Sequence, residues 1–294
     1  MHYTIAKGIL SAKNGMNLYR GCSHGCIYCD SRSKCYQILH DFEDIEVKEN
    51  AVELLENALR RKRRKCMIGT GAMTDPYSPL ELELGYMRKC LELIEEYGFG
   101  VSILTKSDRI LRDLDILKRI HEKTKCVVQM TMTTYDEDLC KIIEPNVCPT
   151  KRRYEVLKIM QDSGIPTVVW LTPILPFLND TKENLNGILD YCVDAGVYGI
   201  MCFGMGLTLR EGNREYFYKQ LDRSFPGIKG KYIASYGNQY EIPSPNSREL
   251  MKIFQERCRE HSIVSNGNEI FKYLSTFEEK SAGEQMNVFD FLKK

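Results

Sequence analysis

The stretch FGVSILTKSDRILRDLDIL, residues 99–117, contains the two local patterns that decide the fold. Its first seven residues, FGVSILT, form a short apolar run rich in Val and Ile, which is typical of a buried strand. From residue 107 to 122 apolar residues recur at helical spacing, which predicts an amphipathic helix. Gly98 stands just before the run, where a glycine commonly ends the preceding helix. The stretch therefore predicts one strand–helix unit.

The same unit recurs along the chain up to residue 205. Further strand-like runs are KCMIGTG (65–71), KCVVQMTM (125–132), IPTVVWLT (165–172) and VYGIMCFG (197–204). Segments with helical periodicity alternate with them near 47–64, 82–97, 151–163 and 181–195. Strands that alternate with helices in this way pair in parallel. With a first strand expected around 15–21, about six units are predicted. The fold class is therefore α/β, a partial (β/α)6 TIM-like barrel.

The alternation ends after residue 205, and the rest of the chain predicts additions to the barrel. The segments LREGNREYFYKQLD and NSRELMKIFQERCREHSI have helical patterns and flank a loop at 225–245 that is rich in Gly, Pro and Tyr. We expect one barrel domain with these C-terminal helices over residues 1–265. A mobile tail is expected over 266–294.

Composition excludes several classes of protein. Lys and Arg number 41 and Asp and Glu number 40, so the net charge of +1 gives no global attraction to nucleic acid. The start, MHYTIAKGIL, lacks the pattern of a secretory signal, and no apolar run is long enough to cross a membrane. Most of the 12 cysteines stand singly in apolar or helical stretches, where they act as small buried hydrophobes. A reducing cytoplasm is the expected location.

The segment GCSHGCIYCD, residues 21–30, is the exception, because it places Cys22, Cys26 and Cys29 within eight positions. A structural zinc site needs four protein ligands. His24 lies inside a tight loop and Cys35 is a loose fourth candidate. Three thiolates can instead hold a 4Fe–4S cluster with one iron open to an amino-acid-like ligand. The spacing therefore favours a cluster with an open iron.

The CxxxCxΦC spacing, with Tyr28 as the aromatic, resembles the signature of radical S-adenosylmethionine (SAM) enzymes. The resemblance extends over roughly residues 15–265 to the spore photoproduct lyase-like, or DNA repair photolyase, branch of that superfamily. It rests on GCSHGCIYCDSRSKCY, GTGAMTDPYSPLE, LTKSDRILRDLDIL, IIEPNVCPTKRRYEVL and LTPILPFLND. The resemblance implies a 4Fe–4S cluster bound by the three motif cysteines and SAM as the second cofactor.

The same resemblance assigns residues to the SAM site. Tyr28 is expected to pack against the adenine, and Ile174 to line the adenine site from the fifth loop. Lys106 matches a lysine that pairs with the SAM carboxylate, a charge-assisted bond. Thr74 matches a hydroxyl residue near the methionyl group. Thr131 or Thr133 is expected at the ribose, and alternation along the strand leaves both open.

Catalytic candidates are less clear from the sequence. Asp75 and Tyr77 of TDPY are candidates for positioning substrate, although an Asp before a Pro also starts turns. Two departures from the lyase argue against thymine-dimer reversal. The lyase has a cysteine that returns a hydrogen atom where this chain has Ala72–Met73, and a tyrosine after the last cluster cysteine where this chain has Asp30. Cys35 and Cys202 are the candidate replacement donors, with buried hydrophobes as the alternative.

Two features suggest a nucleic-acid substrate or partner. Lys151, Arg152 and Arg153 stand at a helix start, where cations are unfavourable unless an anion such as phosphate compensates them. A solvated charge run is the alternative. Near the C-terminus, QMNVF resembles the Gln-x-x-aliphatic-Phe peptide by which bacterial repair proteins bind the DNA sliding clamp. The docking residues would be Gln285, Met286, Val288 and Phe289.

The sequence thus predicts a radical SAM enzyme that cleaves SAM reductively to a 5′-deoxyadenosyl radical and acts on DNA or a nucleotide. A flavodoxin- or ferredoxin-type electron donor is the expected partner, with DNA and the sliding clamp as further partners. One alternative is the same chemistry on a peptide or small metabolite. Another is a non-enzymatic metal-binding module associated with DNA machinery.

Overall fold

The main sheet of the computed structural model, which describes residues 1–280, has six strands. Together with two smaller sheets, the described residues form eleven strands: β1 (His2–Thr4), β2 (Gly15–Met16), β3 (Tyr19–Arg20), β4 (Glu46–Lys48), β5 (Met67–Thr70), β6 (Gly100–Thr105), β7 (Cys126–Thr131), β8 (Thr167–Trp170), β9 (Gly199–Met201), β10 (Gly206–Thr208) and β11 (Glu241–Pro243). The helices are α1 (Ala51–Arg61), α2 (Glu81–Leu84), α3 (Tyr86–Glu96), α4 (Leu114–Lys123), α5 (Glu137–Ile143), α6 (Thr150–Asp162), α7 (Lys182–Asp194), α8 (Asn213–Ser224), α9 (Ile228–Tyr236), α10 (Ser247–Glu260) and α11 (Gly267–Ser275).

The main sheet has the strand order β2-β5-β6-β7-β8-β9, and every neighbouring pair is parallel. Helices connect successive strands, as parallel pairing requires. In the register of β6 and β7, Ile103 lies opposite Val128. The predicted partial (β/α)6 TIM-like barrel is confirmed, including the first strand near residues 15–21.

The two faces of the sheet bury different sets of side chains because residues alternate along each strand. The outer face packs Val101, Ile103 and Val128 against apolar residues of the surrounding helices. These helical residues include Leu55, Leu91, Ile116, Leu157 and Leu189. The inner face carries Met67, Val127, Val168 and Met201 near the amino ends of the strands. Higher on the same face, the side chains become polar and form the candidate site.

Helix α11 fills the inner face at this end, so the part of the expected mobile tail at Gly267–Ser275 is instead a packed helix. Its Ile270 and Leu274 are buried against the inner-face residues Met67, Val127, Val168 and Met201. The preceding Val264 bridges Gly199 of β9. Apolar residues four apart on one helix face are the signal that the prediction missed. The docking motif at 285–289 lies outside the described residues.

Two smaller sheets flank the barrel. Strands β1, β4 and β3 form a three-stranded sheet in that order, and β10 pairs antiparallel with β11. Helix α9 and strand β11 occupy the region expected to be a loop at 225–245. Over residues 1–280, none of the helices combines the length and apolar character needed to cross a membrane.

Candidate active site

The cysteine loop follows β3 and is held by a close backbone approach. Gly21 has a φ of +86°, and a β-carbon placed there would lie 2.5 Å from the carbonyl oxygen of Phe42. The next amide, of Cys22, donates a hydrogen bond of 3.0 Å to that same oxygen. Only glycine meets both demands without strain. The segment around Phe42 thus fixes the start of the loop.

The three motif cysteines open onto one cavity of about 660 Å³ at the carboxyl ends of the barrel strands. This is the face on which β/α barrels carry their active sites. Its walls come from the cysteine loop, the strand ends of the barrel and the β10–β11 ribbon. The residues that line it include Cys22, His24, Cys26, Tyr28, Cys29, Asp30, Tyr36, Asp75, Lys106, Thr131, Trp170, Pro173, Phe203 and Tyr240.

The chemistry of the three thiols fits the expected cluster. Burial and then the neighbouring Cys29 raise the pKa of Cys22 to about 12, and burial also raises the pKa of Cys26. Without a bound cation, the Cys22 and Cys26 thiols therefore keep their protons at neutral pH. An iron centre is a cation that would bind them as thiolates. His24 Nε2, on the same loop, is buried without a hydrogen-bond partner, as expected of an atom that a bound group would satisfy.

Asp75, a predicted substrate-positioning residue, organises the loops around the cavity. Its carboxylate accepts hydrogen bonds from the Thr105 hydroxyl at 2.7 Å and from the backbone amides of Lys106 at 2.7 Å and Tyr77 at 2.9 Å. His24 Nδ1 lies 3.5 Å from the same carboxylate. Both carboxylate oxygens of Asp75 therefore already have partners within the protein. Asp75 lines the cavity, and it holds the backbone of Lys106 at the end of β6.

Glu144 is the residue that sequence reasoning missed. It follows α5, is fully buried, and accepts hydrogen bonds from the Tyr28 hydroxyl and from Arg153 Nη2 at 2.5 Å. Burial would raise the pKa of Glu144, but Arg153 and Lys106 outweigh burial and lower it. Lys106 Nζ lies 6.0 Å from the centre of the Tyr28 ring. Glu144 therefore links the candidate SAM-site residue Tyr28 to Arg153 of α6.

The predicted phosphate site at Lys151, Arg152 and Arg153 is not formed. Arg153 is fully buried, and besides Glu144 it donates to the carbonyl oxygens of Cys148 at 2.9 Å and Thr131 at 3.0 Å. Arg152 pairs with Asp108 and Glu155 on the surface. Lys151 alone remains exposed. Carboxylates of the protein itself therefore compensate the charges of Arg152 and Arg153.

Several predicted cofactor or substrate residues lie outside the cavity. Thr133 and Tyr77 are fully buried, and Tyr77 donates to Asp113 at 3.1 Å in the core. Ile174 belongs to the outer core, and the adjacent Pro173 lines the cavity instead. Thr74 is buried beside the cavity rather than in its wall. Of the two threonines on β7 and its extension, the structure brings Thr131 to the cavity.

Neither predicted replacement thiol faces the cavity. Cys35 is exposed and accepts a contact of 3.3 Å from Arg210, whereas Cys202 points to Met251 in the outer core, 3.9 Å away. The neighbour of Cys35, Tyr36, does line the cavity, and its hydroxyl donates to Asp30 at 2.6 Å. This bond raises the pKa of Tyr36 to about 12. A tyrosine, Tyr36, therefore lies beside Asp30 in the structure, although it stands six residues further along the sequence.

Comparisons with known proteins identify the superfamily of the chain. A family model for the radical SAM superfamily matches residues 16–206. An uncharacterised protein of Mycobacterium tuberculosis is 30% identical over 244 residues, which cover 81% of this chain and 71% of that protein. An uncharacterised protein of Methanocaldococcus jannaschii is 33% identical over 176 residues, which cover 59% of this chain and 65% of that protein.

Solved structures show the same fold at low sequence identity. A variant of spore photoproduct lyase superposes with a TM-score of 0.62 at 11% identity, covering 88% of this chain and 78% of the lyase chain. A radical S-adenosylmethionine methyltransferase from Kitasatospora setae gives a TM-score of 0.51 at 12% identity, covering 84% and 50%. The chain therefore belongs to the radical SAM superfamily, and it is an enzyme whose cofactors are a 4Fe–4S cluster and S-adenosylmethionine.

Proposed function

We propose that this radical SAM enzyme acts on a substrate that carries a nucleobase, in DNA or as a nucleotide. Cys22, Cys26 and Cys29 would hold the cluster, and the cluster with SAM would supply the radical chemistry for hydrogen abstraction from the substrate. Lys106 is assigned to the SAM carboxylate and Tyr28 to the adenine. Thr131 is the hydroxyl assigned to the ribose, because it lies in the cavity wall.

The exposed aromatic side chain of Phe203 carries the assignment of the substrate class. Phe203 follows β9, is 63% exposed and lines the cavity. Its ring lies 5.7 Å, edge to face, from that of Trp170, which is fixed by a 2.8 Å hydrogen bond to Gln129 on β7. An aromatic face held open to a cavity is a stacking platform for a planar base, worth about 1–3 kcal/mol per base. A saturated metabolite would leave it unused.

Recognition is expected to rest on the base more than on phosphates. Two of the three predicted phosphate-binding cations are engaged by carboxylates of the protein, as described above. Arg210, near the cavity rim, donates to Tyr240 Oη at 2.7 Å and lies 3.7 Å from Asp30. Among residues 1–280, the cavity wall has no thiol beyond the three motif cysteines, and this favours a reaction other than thymine-dimer reversal.

The partners of the enzyme follow from its chemistry. Radical SAM enzymes need a reductant, and we propose one of the flavodoxin or ferredoxin type in a reducing cytoplasm. Docking on the DNA sliding clamp through Gln285–Phe289 remains a proposal from the sequence. A clamp pulldown with the full chain and with Phe289→Ala tests it. Equal capture of both proteins would refute this docking mode.

The substrate class is tested by isotope transfer in anaerobically reconstituted, reduced enzyme. Dinucleotides and nucleotides deuterated in the base or sugar are expected to transfer deuterium into 5′-deoxyadenosine. Phe203→Ala should weaken substrate binding by roughly tenfold, the equivalent of about 1.4 kcal/mol. Phe271→Ala is the matched control, because Phe271 touches the same aromatic pair from α11 without lining the cavity.

The outcomes separate the competing hypotheses. Transfer from peptides or small metabolites, and none from nucleotides, would refute the nucleobase assignment and leave the radical SAM chemistry intact. An unchanged substrate affinity in Phe203→Ala would refute the stacking platform. Methylation of substrate without transfer into 5′-deoxyadenosine would contradict the proposed hydrogen abstraction.

A further inference from the structure

A second group of metal-ligating side chains lies away from the cysteine cavity. His2 is on β1, and His40 and Asp44 are in the segment that precedes β4. One ligand atom from each of the three lies within 4.8 Å of the others. His2 Nδ1 is 2.9 Å from Asp44 Oδ2, and the two imidazole rings meet edge to face at 4.8 Å. Residues from two separate segments thus bring two nitrogens and an oxygen together.

The hydrogen bonding of His40 leaves one ring nitrogen free for a ligand. Its Nδ1 lies 2.9 Å from the carbonyl oxygen of Asp41, which can only accept, so Nδ1 carries the proton. This bond is the kind that orients metal-ligating histidines. His40 Nε2 is buried and has no hydrogen-bond partner. Glu46 Oε2 lies 3.7 Å from it, so a bare lone pair faces a carboxylate oxygen.

A lone pair facing a carboxylate is unfavourable unless a cation lies between or beside them. The cation could be a proton on Nε2 or a metal ion. The nearby imidazole of His2 and carboxylate of Asp44 favour the metal ion, because two imidazoles and a carboxylate are a common ligand set for zinc. Asp44 also attracts the Met1 ammonium at 2.9 Å, a contact that a metal ion would replace.

We propose that His2, His40 and Asp44 bind a Zn²⁺ ion, with the fourth position taken by Glu46 or water. The site is structural, because it lies outside the cavity and joins β1 to the segment that contains Phe42. That segment holds the first residue of the cysteine loop through the 3.0 Å bond to the Cys22 amide. Zinc at this site would therefore stiffen the support of the cysteine loop.

The test uses the full chain with its cluster loaded anaerobically, so that the three motif cysteines are occupied. The protein carries no polyhistidine tag and has a free N-terminus, because Met1 lies at the site. Zn²⁺ is added, free metal is removed by desalting, and bound zinc is counted by elemental analysis. Zinc-edge X-ray absorption of the loaded protein then distinguishes nitrogen and oxygen ligands, at about 2.0–2.2 Å, from cysteine sulfur at about 2.3 Å.

The expected result is about one Zn²⁺ per chain in the wild type, with a rise in Tm. His40→Ala and the near-isosteric Asp44→Asn should both lose the bound zinc and the Tm rise. His261→Ala is the matched control, because His261 is an exposed histidine on the surface. Iron content and circular dichroism verify that each variant is folded and loaded.

Three results would overturn the proposal. The first is a cluster-loaded wild type that retains no zinc, which would make His40 and Glu46 a protonated pair. The second is undiminished zinc in both His40→Ala and Asp44→Asn. The third is sulfur ligands in the zinc-edge spectrum, which would place the metal at cysteines. None of these results depends on the substrate of the enzyme.

Discussion

Replacing Arg153 with alanine should destabilise the fold far more than the same change at the adjacent Arg152. The Arg153 side chain is fully buried, and its guanidinium makes four hydrogen bonds, one of them to the buried carboxylate of Glu144. Removing one partner of a buried ion pair costs roughly 3–5 kcal/mol, because the remaining charge stays in the interior. Such a loss is a fifth or more of the roughly 5–15 kcal/mol by which a typical domain is stable.

Arg152→Ala is the matched control for this prediction. The Arg152 side chain is 40% exposed and pairs with Asp108 at 3.0 Å and Glu155 at 2.8 Å. Exposed pairs contribute about 0–1 kcal/mol. Urea unfolding of the two cluster-free variants under reducing conditions should therefore give free energies of unfolding about 3 kcal/mol apart. A difference below 1 kcal/mol would refute the assignment of Arg153 as the partner of a buried charge.

The pH dependence of the free energy of unfolding provides a second, independent test of the same prediction. In the wild type, the lowered pKa of Glu144 contributes stability above the unfolded pKa, and this stability is lost as pH falls through the folded pKa. Without Arg153, the pKa of Glu144 rises, so the folded variant takes up a proton at higher pH. The stability deficit of Arg153→Ala should therefore be largest at neutral pH and narrow towards pH 5. A deficit that widens on acidification would contradict the reasoning.

Three further changes test other parts of the site. Lys106→Ala should weaken SAM binding by about tenfold or more, since a hydrogen bond to a charged group contributes roughly 1.5–3 kcal/mol. The control Lys151→Ala, at an exposed lysine, should leave SAM binding unchanged. Titration calorimetry on reconstituted enzyme measures both affinities. Gly71→Ala should abolish folding in a soluble-expression assay, because the φ of Gly71 is +96° and the added β-carbon would lie 1.8 Å from the Leu104 carbonyl oxygen. Gly69→Ala is the control, because a β-carbon added at Gly69 would have no atom within 4 Å. Cys22→Ser should lose the iron and the cluster absorbance, and Cys35→Ser should keep both. Equal iron content in the two serine variants would place a cluster ligand elsewhere.

The sequence predicted the features that depend on local periodicity. The apolar run in KCVVQMTM and the helical period after Thr105 depend only on neighbouring residues, so strands, helices and the parallel sheet followed. The spacing of Cys22, Cys26 and Cys29 is likewise local, and the structure brings all three to one cavity.

Features that depend on contacts between distant residues were not predictable in the same way. The partner of Tyr28 is Glu144, 116 residues away, and nothing near either residue indicates the contact. The role of Arg153 could have been found. It stands three and four residues before the buried Val156 and Leu157, so it lies on the inward face of α6. The run of three basic residues obscured that periodicity.

Helix α11 has a consequence for how large the folding unit of this enzyme is. The family model ends at residue 206, and a boundary drawn there would remove the helix that covers the inner face of β5, β7, β8 and β9. Met67, Val127, Val168 and Met201 would then face water as one contiguous apolar patch, a feature that promotes aggregation. The smallest soluble version of this chain therefore has to extend at least to Ser275. Domain boundaries taken from the shared family region alone would yield an insoluble product.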